Sequence, residues 1–295
     1  MRVSEKQRFI ISQTRIGKQR TRQIELSEQL SSGLRINKPS DDSLGAKKLA
    51  ALNSEHRRVE QHTRNIGSAR HLLNSADNAL SESSNTLYRT KELAIRGLNS
   101  AMTPADRGFL AEEILSLKEH LHSLANTRTN NRYIFGGYVS TTPPYDNVFA
   151  FRGDTNVTQY EVGDGELVKA TTPGGAAFGD GTAGTIDVFD NLTRLEEAVR
   201  NGIEVDMQNE LALLETSLEQ VISVRQHVGL EMNRLDGAES VASYLKTRLP
   251  DTMSGIQDVD FTAAVSEMKM VENALQATIA TSSRLMKGTS LLDYI

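Results

Sequence analysis

Three long stretches of this chain repeat their apolar residues at the spacing of helices that pack together along a narrow seam. In the first stretch, from Gly45 to about Leu98, apolar residues recur every seven positions between Leu52 and Ala94. A seven-residue repeat directs one stripe of side chains toward a partner helix. A helix with one such stripe is not stable alone, so we predict that the three stretches pack lengthwise on one another.

The second and third stretches have clear boundaries. Thr103 and Pro104 are typical of a helix start, because threonine caps the first free N–H groups and proline lacks one. The seam that follows is predicted to contain Leu110, Ile114, Leu117, Leu121 and Leu124. The third stretch alternates in steps of three and four over residues 211–249, and we predict that Pro250 ends it. Its seam includes three charged residues, Arg225, Glu239 and Lys246, and we expect them to interrupt the seam toward its end.

The segment between these helices has a different character. Residues 133–190 contain short aromatic and β-branched runs, such as Tyr133-Ile134-Phe135 and Gln159-Tyr160-Glu161-Val162, broken by Gly, Pro, Asn and Asp. This pattern predicts a small antiparallel β insert. Residues 179–184 are expected to form a loop between two short strands, at 176–178 and 185–189.

The two ends carry opposite charge. Residues 1–40 contain 9 Lys and Arg against 3 Asp and Glu, whereas residues 251–295 contain 6 acidic and 3 basic residues. Neither end has a seam strong enough for an isolated helix, so we predict that the two pair with each other in antiparallel fashion. We expect both to become ordered only when neighbouring subunits add apolar contacts.

The sequence therefore predicts a mainly α fold with a small β insert, built as an elongated antiparallel helical rod. We expect three domains. Residues 1–44 and 250–295 would form a terminal helical assembly domain, residues 45–132 and 191–249 a helical rod, and residues 133–190 a β-rich outer insert.

Active-site patterns are missing from the sequence. The chain has no Cys, which excludes disulfides and thiolate chemistry, and none of its six His residues has a partner at the i, i+4 spacing of a helical metal site. The run Gly179–Gly184 matches G-x-G-x-x-G without the strand and helix that dinucleotide binding requires. Asp180, Asp187 and Asp190 lack the spacing of a calcium loop. We predict no catalytic, cofactor or metal residues, and no enzyme activity.

Charge and hydropathy also limit the partners. The net charge is −5, which argues against general nucleic-acid binding. No stretch approaches the ~18 apolar residues of a membrane span, and the first residues lack the apolar run of a secretory signal. We therefore expect the chain to bind neither nucleic acid nor membrane. We also expect it to be either cytoplasmic or exported without a cleaved signal.

We predict a hinge between the first two helices, and the sequence of this hinge resembles a known motif. Gly33 can end one helix, Pro39 forces an extended bend, and Ser40, Asp41 and Asp42 are suited to cap the next helix. Residues 29–46, QLSSGLRINKPSDDSLGA, resemble the N-terminal motif of the bacterial flagellin superfamily. Ser43 stands where that family usually has proline.

Two further segments are similar to the same family. Residues 224–235, VRQHVGLEMNRL, resemble its C-terminal rod helix, and Asp258-Val259-Asp260-Phe261 resembles the start of its last helix. The run NRYIFGG at 131–137, followed by TPPY at 142–145, and the ending SLLDYI are similar to members that join the hook to the filament. Filament flagellins, which share the terminal motifs, remain the alternative, and an enzyme carried on a flagellin-like scaffold is a more distant one.

The resemblance implies a structural, self-assembling subunit of the bacterial flagellum that is exported without a cleaved signal and works outside the cell. Its implied partners are further copies of itself in a ring, the preceding hook-associated protein, flagellin on the filament side, and an export chaperone. We predict that the terminal helices form the assembly interface through a set of apolar residues: Phe9, Ile16, Leu30, Leu34, Ile36, Phe261, Val265, Met268, Leu275, Ile279 and Leu292.

Overall fold

The computed structural model describes residues 2–181 and 184–287, and these residues form a mainly helical fold with two small antiparallel hairpins, as predicted. The elements in chain order are α1 (Arg2–Ser32), α2 (Ser43–Gly97), α3 (Pro104–Ala125), β1 (Arg128–Thr129), β2 (Arg132–Tyr133), β3 (Gln159–Gly163), β4 (Glu166–Lys169), α4 (Gly174–Phe178), α5 (Val188–Asn201), α6 (Glu204–Gln257) and α7 (Phe261–Lys287).

The chain divides into two compact units. We call Met1–Arg58 with Leu245–Ile295 the terminal unit, and Val59–Tyr244 the central unit. The boundaries of these units lie within helices α2 and α6. The predicted outer insert, 133–190, belongs to the central unit, because its side chains share a core with the helices.

The core of the central unit follows the seven-residue repeat. Every seventh residue of α2 in this unit is at most 4% exposed: Val59, Ile66, Leu73, Leu80, Leu87 and Ala94. Helix α6 lies antiparallel to α2, and its apolar seam residues Leu214, Val221, Val228 and Leu235 are buried as well. The lengthwise packing predicted from the repeat is confirmed.

Charged residues in the α6 seam pair across to α2. The Arg225 Nε atom lies 2.8 Å from the Asp77 Oδ1 atom, and the Glu239 Oε2 atom lies 2.6 Å from an Arg70 guanidinium nitrogen. The side chain of Arg225 stays 42% exposed, so its guanidinium does not lose its hydration. The charges therefore lie at the edge of the seam and do not interrupt it.

The seam of α3 is rotated from the predicted one. Its buried residues are Ala111, Ile114, Lys118, Leu121 and Ala125, whereas Leu110, Leu117 and Leu124 are only half-buried. The two alanines allow close approach to α5, a helix that we did not predict separately, although residues 191–249 were assigned to the helical rod. Lys118 is accommodated because its Nζ atom lies 3.2 Å from the Thr193 Oγ1 atom and 4.5 Å from the centre of the Phe149 ring.

The prediction that Pro250 ends its helix is wrong. Helix α6 continues through Pro250 to Gln257. Proline fits the helical φ and costs one backbone hydrogen bond together with a steric clash. Leu249 is buried and Met253 and Ile256 are half-buried, so packing of the helix on both sides of the proline offsets that cost.

The insert holds less β structure than predicted. Strand β3 pairs with β4 and strand β1 with β2, both antiparallel, but Ile134 and Phe135 lie outside the strands. Residues 188–189 begin a helix, so the glycine run before them does not lie between strands. An aromatic cluster fills the interior of this region: Phe135, Tyr145, Phe149, Phe178 and Phe189. Ring packing therefore stabilises the insert together with the pairing of its short strands.

Among the helices that the structure describes, none combines the length and apolar character needed to cross a membrane.

Candidate assembly surface

The terminal unit contains the paired end helices, which run antiparallel as their opposite charges predicted. The Ser12 and Ser282 hydroxyls bond to each other, and the Arg22 guanidinium bonds to the Glu267 carboxylate. Further along, Leu34 forms an antiparallel bridge with Asp258. Later residues of the N-terminal segment therefore contact earlier residues of the C-terminal segment, which is the antiparallel arrangement.

The ion pair between α1 and α7 is partly exposed. The Nε and Nη2 atoms of Arg22 lie 2.8 and 2.7 Å from the Glu267 Oε1 atom. Hydrogen bonding to Glu267 raises the pKa of Arg22 above its ordinary value. Both side chains are more than 40% exposed, so the pair adds at most about 1 kcal/mol of stability. It selects the register of the helices more than it stabilises them.

Apolar burial within the terminal unit is thin. Among its described residues, the buried apolar side chains are Leu26, Ile36, Leu49, Leu249, Ala264 and Val271. Helices α1 and α7 together contribute Leu26, Ala264 and Val271 to that set. So small a core leaves most of the apolar surface of the two helices uncovered.

The uncovered surface contains four of the predicted assembly residues. Phe9, Phe261, Val265 and Ile279 are between 40% and 55% exposed. Four more exposed apolar side chains of these helices were not in the predicted set: Ile10, Ile11, Ile24 and Met270. Their apolar character in otherwise polar segments is the signal that could have found them.

The other predicted assembly residues occupy different environments. Ile16, Leu30, Leu34, Met268 and Leu275 are half-buried. Ile36 is only 5% exposed and packs against the position of Gly45 in its own chain, so it offers no surface to another subunit. Leu292 lies outside the described residues.

The segment predicted to be a hinge joins the two end helices through backbone hydrogen bonds. Gly33 follows α1 with φ +76°, and its N–H donates to the Gln29 carbonyl. The Val259 N–H donates to the Gly33 carbonyl, and the Arg35 N–H to the Gln257 carbonyl, at 3.0 and 2.6 Å. The connection between α1 and α2 is thereby fastened to the connection between α6 and α7.

The predicted capping residues divide their roles. Asp42 caps α2, because its Oδ1 atom accepts the Gly45 N–H at 2.8 Å, and this bond lowers the pKa of the carboxyl group. Asp41 instead accepts the Lys38 and Asn37 N–H groups, and the pKa of Asp41 is lowered by these bonds. Pro39 and Ser40 lie in the exposed turn that Asp41 closes, so Ser40 makes no cap.

No group of three or more metal-ligating side chains occurs among the residues that the structure describes. The chemistry available at the terminal unit is therefore apolar contact, helix pairing and charge complementarity, which are the means of protein–protein association.

Comparison with known proteins agrees with this geometry. The model of the bacterial flagellin N-terminal helical region matches residues 3–140, and that of the C-terminal helical region matches residues 211–295. The flagellar hook-associated protein 3 of Escherichia coli strain K12 is 28% identical over 289 residues, covering 90% of both chains. The flagellin of Bacillus subtilis strain 168 is 25% identical over 272 residues, covering 87% of this chain and 88% of its own.

A solved structure shares the fold. Flagellar hook-associated protein 3 from Legionella pneumophila superposes with a TM-score of 0.63 at 16% identity, covering 70% of this chain and 98% of that protein. The two helical-region matches lie at the two ends of the chain, where the paired helices and their hinge are found. From the paired terminal helices, the hinge motif and these matches together, we conclude that the chain belongs to the bacterial flagellin family.

Proposed function

We propose that this protein is a structural subunit of the bacterial flagellum that joins the hook to the filament and assembles through its terminal helices. The observation that carries the proposal is the paired helices α1 and α7, which leave large apolar side chains uncovered in a single chain. Family membership and the similarity to hook-associated protein 3 over 90% of both chains support the same role.

The uncovered side chains provide the energy of assembly. Full burial of one large apolar side chain contributes about 1.5–3 kcal/mol. Phe9, Phe261 and Ile279 are each about half exposed, so a neighbouring subunit that covers them gains roughly 1 kcal/mol from each. In the proposed ring each copy contacts two neighbours, so these contributions recur at every contact.

The remaining partners follow from the same role. In the proposal, the ring contacts the preceding hook-associated protein on one side and flagellin on the other. The subunit reaches this site outside the cell by export without a cleaved signal, with a chaperone that covers the apolar end helices beforehand. It binds neither nucleic acid nor membrane, and it catalyses no reaction.

Substitution of the uncovered residues tests the proposal. We expect Phe261→Glu and Ile279→Glu to leave the helix content of the purified chain unchanged, because both side chains face solvent. In cells that lack the wild-type chain, these variants should be secreted but should not support filaments, and flagellin should accumulate in the medium. The matched control is Ile95→Glu, which changes a side chain of the central unit that is 51% exposed. Normal filament attachment by both terminal variants would contradict the proposal.

The alternative is a filament flagellin, and the similarity to the Bacillus subtilis flagellin favours it. Labelling of intact flagella with an antibody to residues 133–181 separates the two roles. A junction subunit gives label only where hook and filament meet. Label along the whole filament would instead identify a flagellin.

A further inference from the structure

A polar cleft of about 470 Å³ opens on the central unit, which supplies all of its lining residues. One wall is α2, which contributes Ser68, His71 and Leu72, and another is the hairpin of β1 and β2, which contributes Asn130 and Arg132. The loop after β2 and strand β3 complete it. The volume lies within the range of about 300–1,000 Å³ that is usual for small-ligand sites.

Three tyrosines line this cleft: Tyr133, Tyr138 and Tyr160. Within the residues that the structure describes, none of their hydroxyl groups makes a hydrogen bond. Asn130 likewise has no side-chain hydrogen bond there. The cleft therefore presents flat apolar rings beside several free donors and acceptors, which is the combination that a ring-shaped, hydroxyl-rich ligand requires.

The tyrosines are held in place by backbone hydrogen bonds. The Asp154 carboxylate accepts the N–H groups of Tyr138 and Val139 at 3.0–3.2 Å, and the Tyr133 N–H donates to the Ser140 carbonyl at 2.8 Å. Gly137 has φ +68°, and a Cβ atom there would lie only 2.1 Å from the Asp154 Oδ1 atom. A ligand would thus meet a loop that is already ordered, which reduces the entropy cost of binding.

The charge of the cleft is opposite to that of the whole chain. Arg132 lines it, and the Arg128 guanidinium lies 5.0 Å from the centre of the Tyr133 ring. Among the described lining residues there is no Asp or Glu, although the chain has a net charge of −5. The carboxylate of Asp154 beside this loop is already engaged by backbone N–H groups, so the guanidinium groups are the charges that attract an anionic ligand.

We propose that this cleft binds an acidic oligosaccharide, with sugar rings against Tyr133 and Tyr138 and a sugar carboxylate paired with Arg132. The rings supply apolar faces, the free phenol and amide groups bond sugar hydroxyls, and the guanidinium supplies charge-assisted hydrogen bonds. Nothing in this proposal depends on assembly through α1 and α7.

Titration of the full chain with trigalacturonate, followed by ligand-observed NMR, tests it, with maltotriose as the neutral probe. We expect trigalacturonate to bind at least tenfold more tightly than maltotriose, and binding to weaken as salt is added. Tyr138→Ala and Arg132→Gln should each weaken binding by about tenfold or more. The matched controls are Tyr244→Ala, which removes a tyrosine of similar exposure, 66% against 64%, and Arg248→Gln, which removes an exposed arginine.

Three results would overturn the proposal. Equal affinity for trigalacturonate and maltotriose would show that charge does not contribute to binding. Unchanged binding by Tyr138→Ala and Arg132→Gln would place any binding elsewhere. Displacement of trigalacturonate by an equal concentration of inorganic phosphate would identify a plain anion site in place of a sugar site.

Discussion

At position 33 the backbone conformation requires glycine. Its φ of +76° lies in the left-handed region, while a methyl group added at its Cα atom would come no closer than 4.0 Å to the Phe261 ring. Space is thus available, and the constraint comes from the backbone alone. A residue with a Cβ atom in this conformation costs roughly 1–2 kcal/mol.

We therefore predict that Gly33→Ala lowers the free energy of unfolding of the terminal unit by about 1–2 kcal/mol. Gly17→Ala is the matched control, because Gly17 lies inside α1 with open space around it. That control should raise stability by about 0.5–1 kcal/mol. Urea unfolding followed by far-UV circular dichroism measures both changes. Equal effects of the two substitutions would show that φ at Gly33 is unimportant.

Tyr145 is buried at the centre of the aromatic cluster, and its hydroxyl donates to the Gly179 carbonyl at 2.7 Å. We predict that Tyr145→Phe lowers the free energy of unfolding by about 1–3 kcal/mol, because it leaves a buried carbonyl without its partner. Tyr138→Phe, at an exposed site without such a bond among the described residues, should change it little. Thermal unfolding followed by circular dichroism compares the two.

The burial of Tyr145 also makes the free energy of unfolding depend on pH. Burial raises the pKa of Tyr145 above its usual value near 10. The stability that this group contributes is therefore fully present below pH ~10 and is lost as the pH rises above it, since only the unfolded chain ionises readily there. Tyr145→Phe should accordingly lose less stability than the wild type between about pH 9 and pH 11 in urea unfolding. An identical loss in both chains would contradict the burial of this hydroxyl.

At the scale of elements, α6 contains a proline that its packing tolerates. Alanine in place of Pro250 would restore a backbone N–H donor for the Lys246 carbonyl and would remove the pyrrolidine ring. We predict that Pro250→Ala raises the free energy of unfolding by up to about 3 kcal/mol, and that the neighbouring exposed substitution Asp251→Ala changes it by no more than about 0.5 kcal/mol. A loss of stability in the proline variant, measured by urea unfolding, would show that the helix needs a bend there.

The long elements could be predicted from the sequence because a seven-residue repeat and a threonine-proline helix start are local signals. Those signals located α2, α3 and most of α6. Helix α5 also has local signals, since Asp187 caps it, Gly202 ends it at φ 72°, and Leu192, Leu195 and Val199 share one face. Residues 191–201 were assigned to the helical rod, but the start of α5 at Val188 was missed because residues 185–189 were predicted to be a short strand. The rotation of the α3 seam could not be predicted, because it depends on contact with α5.

At the candidate assembly surface, charge predicted the pairing of the ends but not the individual contacts. Phe261 and Ile279 are apolar residues on one helix stripe, and a stripe alone does not show which of its members a partner helix covers. Ile36 resembled them in sequence, yet the loop after α1 returns it to the interior. The division of capping between Asp41 and Asp42 likewise depends on the turn at Pro39, whose geometry follows from several residues together.

On the scale of the whole molecule, the two units differ in how much apolar surface they bury. The central unit has a continuous seam along α2 and α6 together with the aromatic cluster. The terminal unit, within the described residues, relies on six buried apolar side chains and on exposed ion pairs. Since burial supplies most of the free energy of folding, the terminal unit should open at a lower free energy than the central one.

We therefore predict that limited trypsin digestion of the purified chain cuts first in α1, at Arg15, Lys18 or Arg20, and leaves a resistant fragment that contains residues 59–244. Mass spectrometry of the timed products identifies the cuts. If the proposed assembly is correct, it should protect the same bonds, because neighbouring subunits would then cover Ile16 and Ile24 beside them. Cuts that appear in both units at the same rate would contradict the difference in stability. Equal digestion of α1 before and after assembly would show that the end helices gain no contacts from their neighbours.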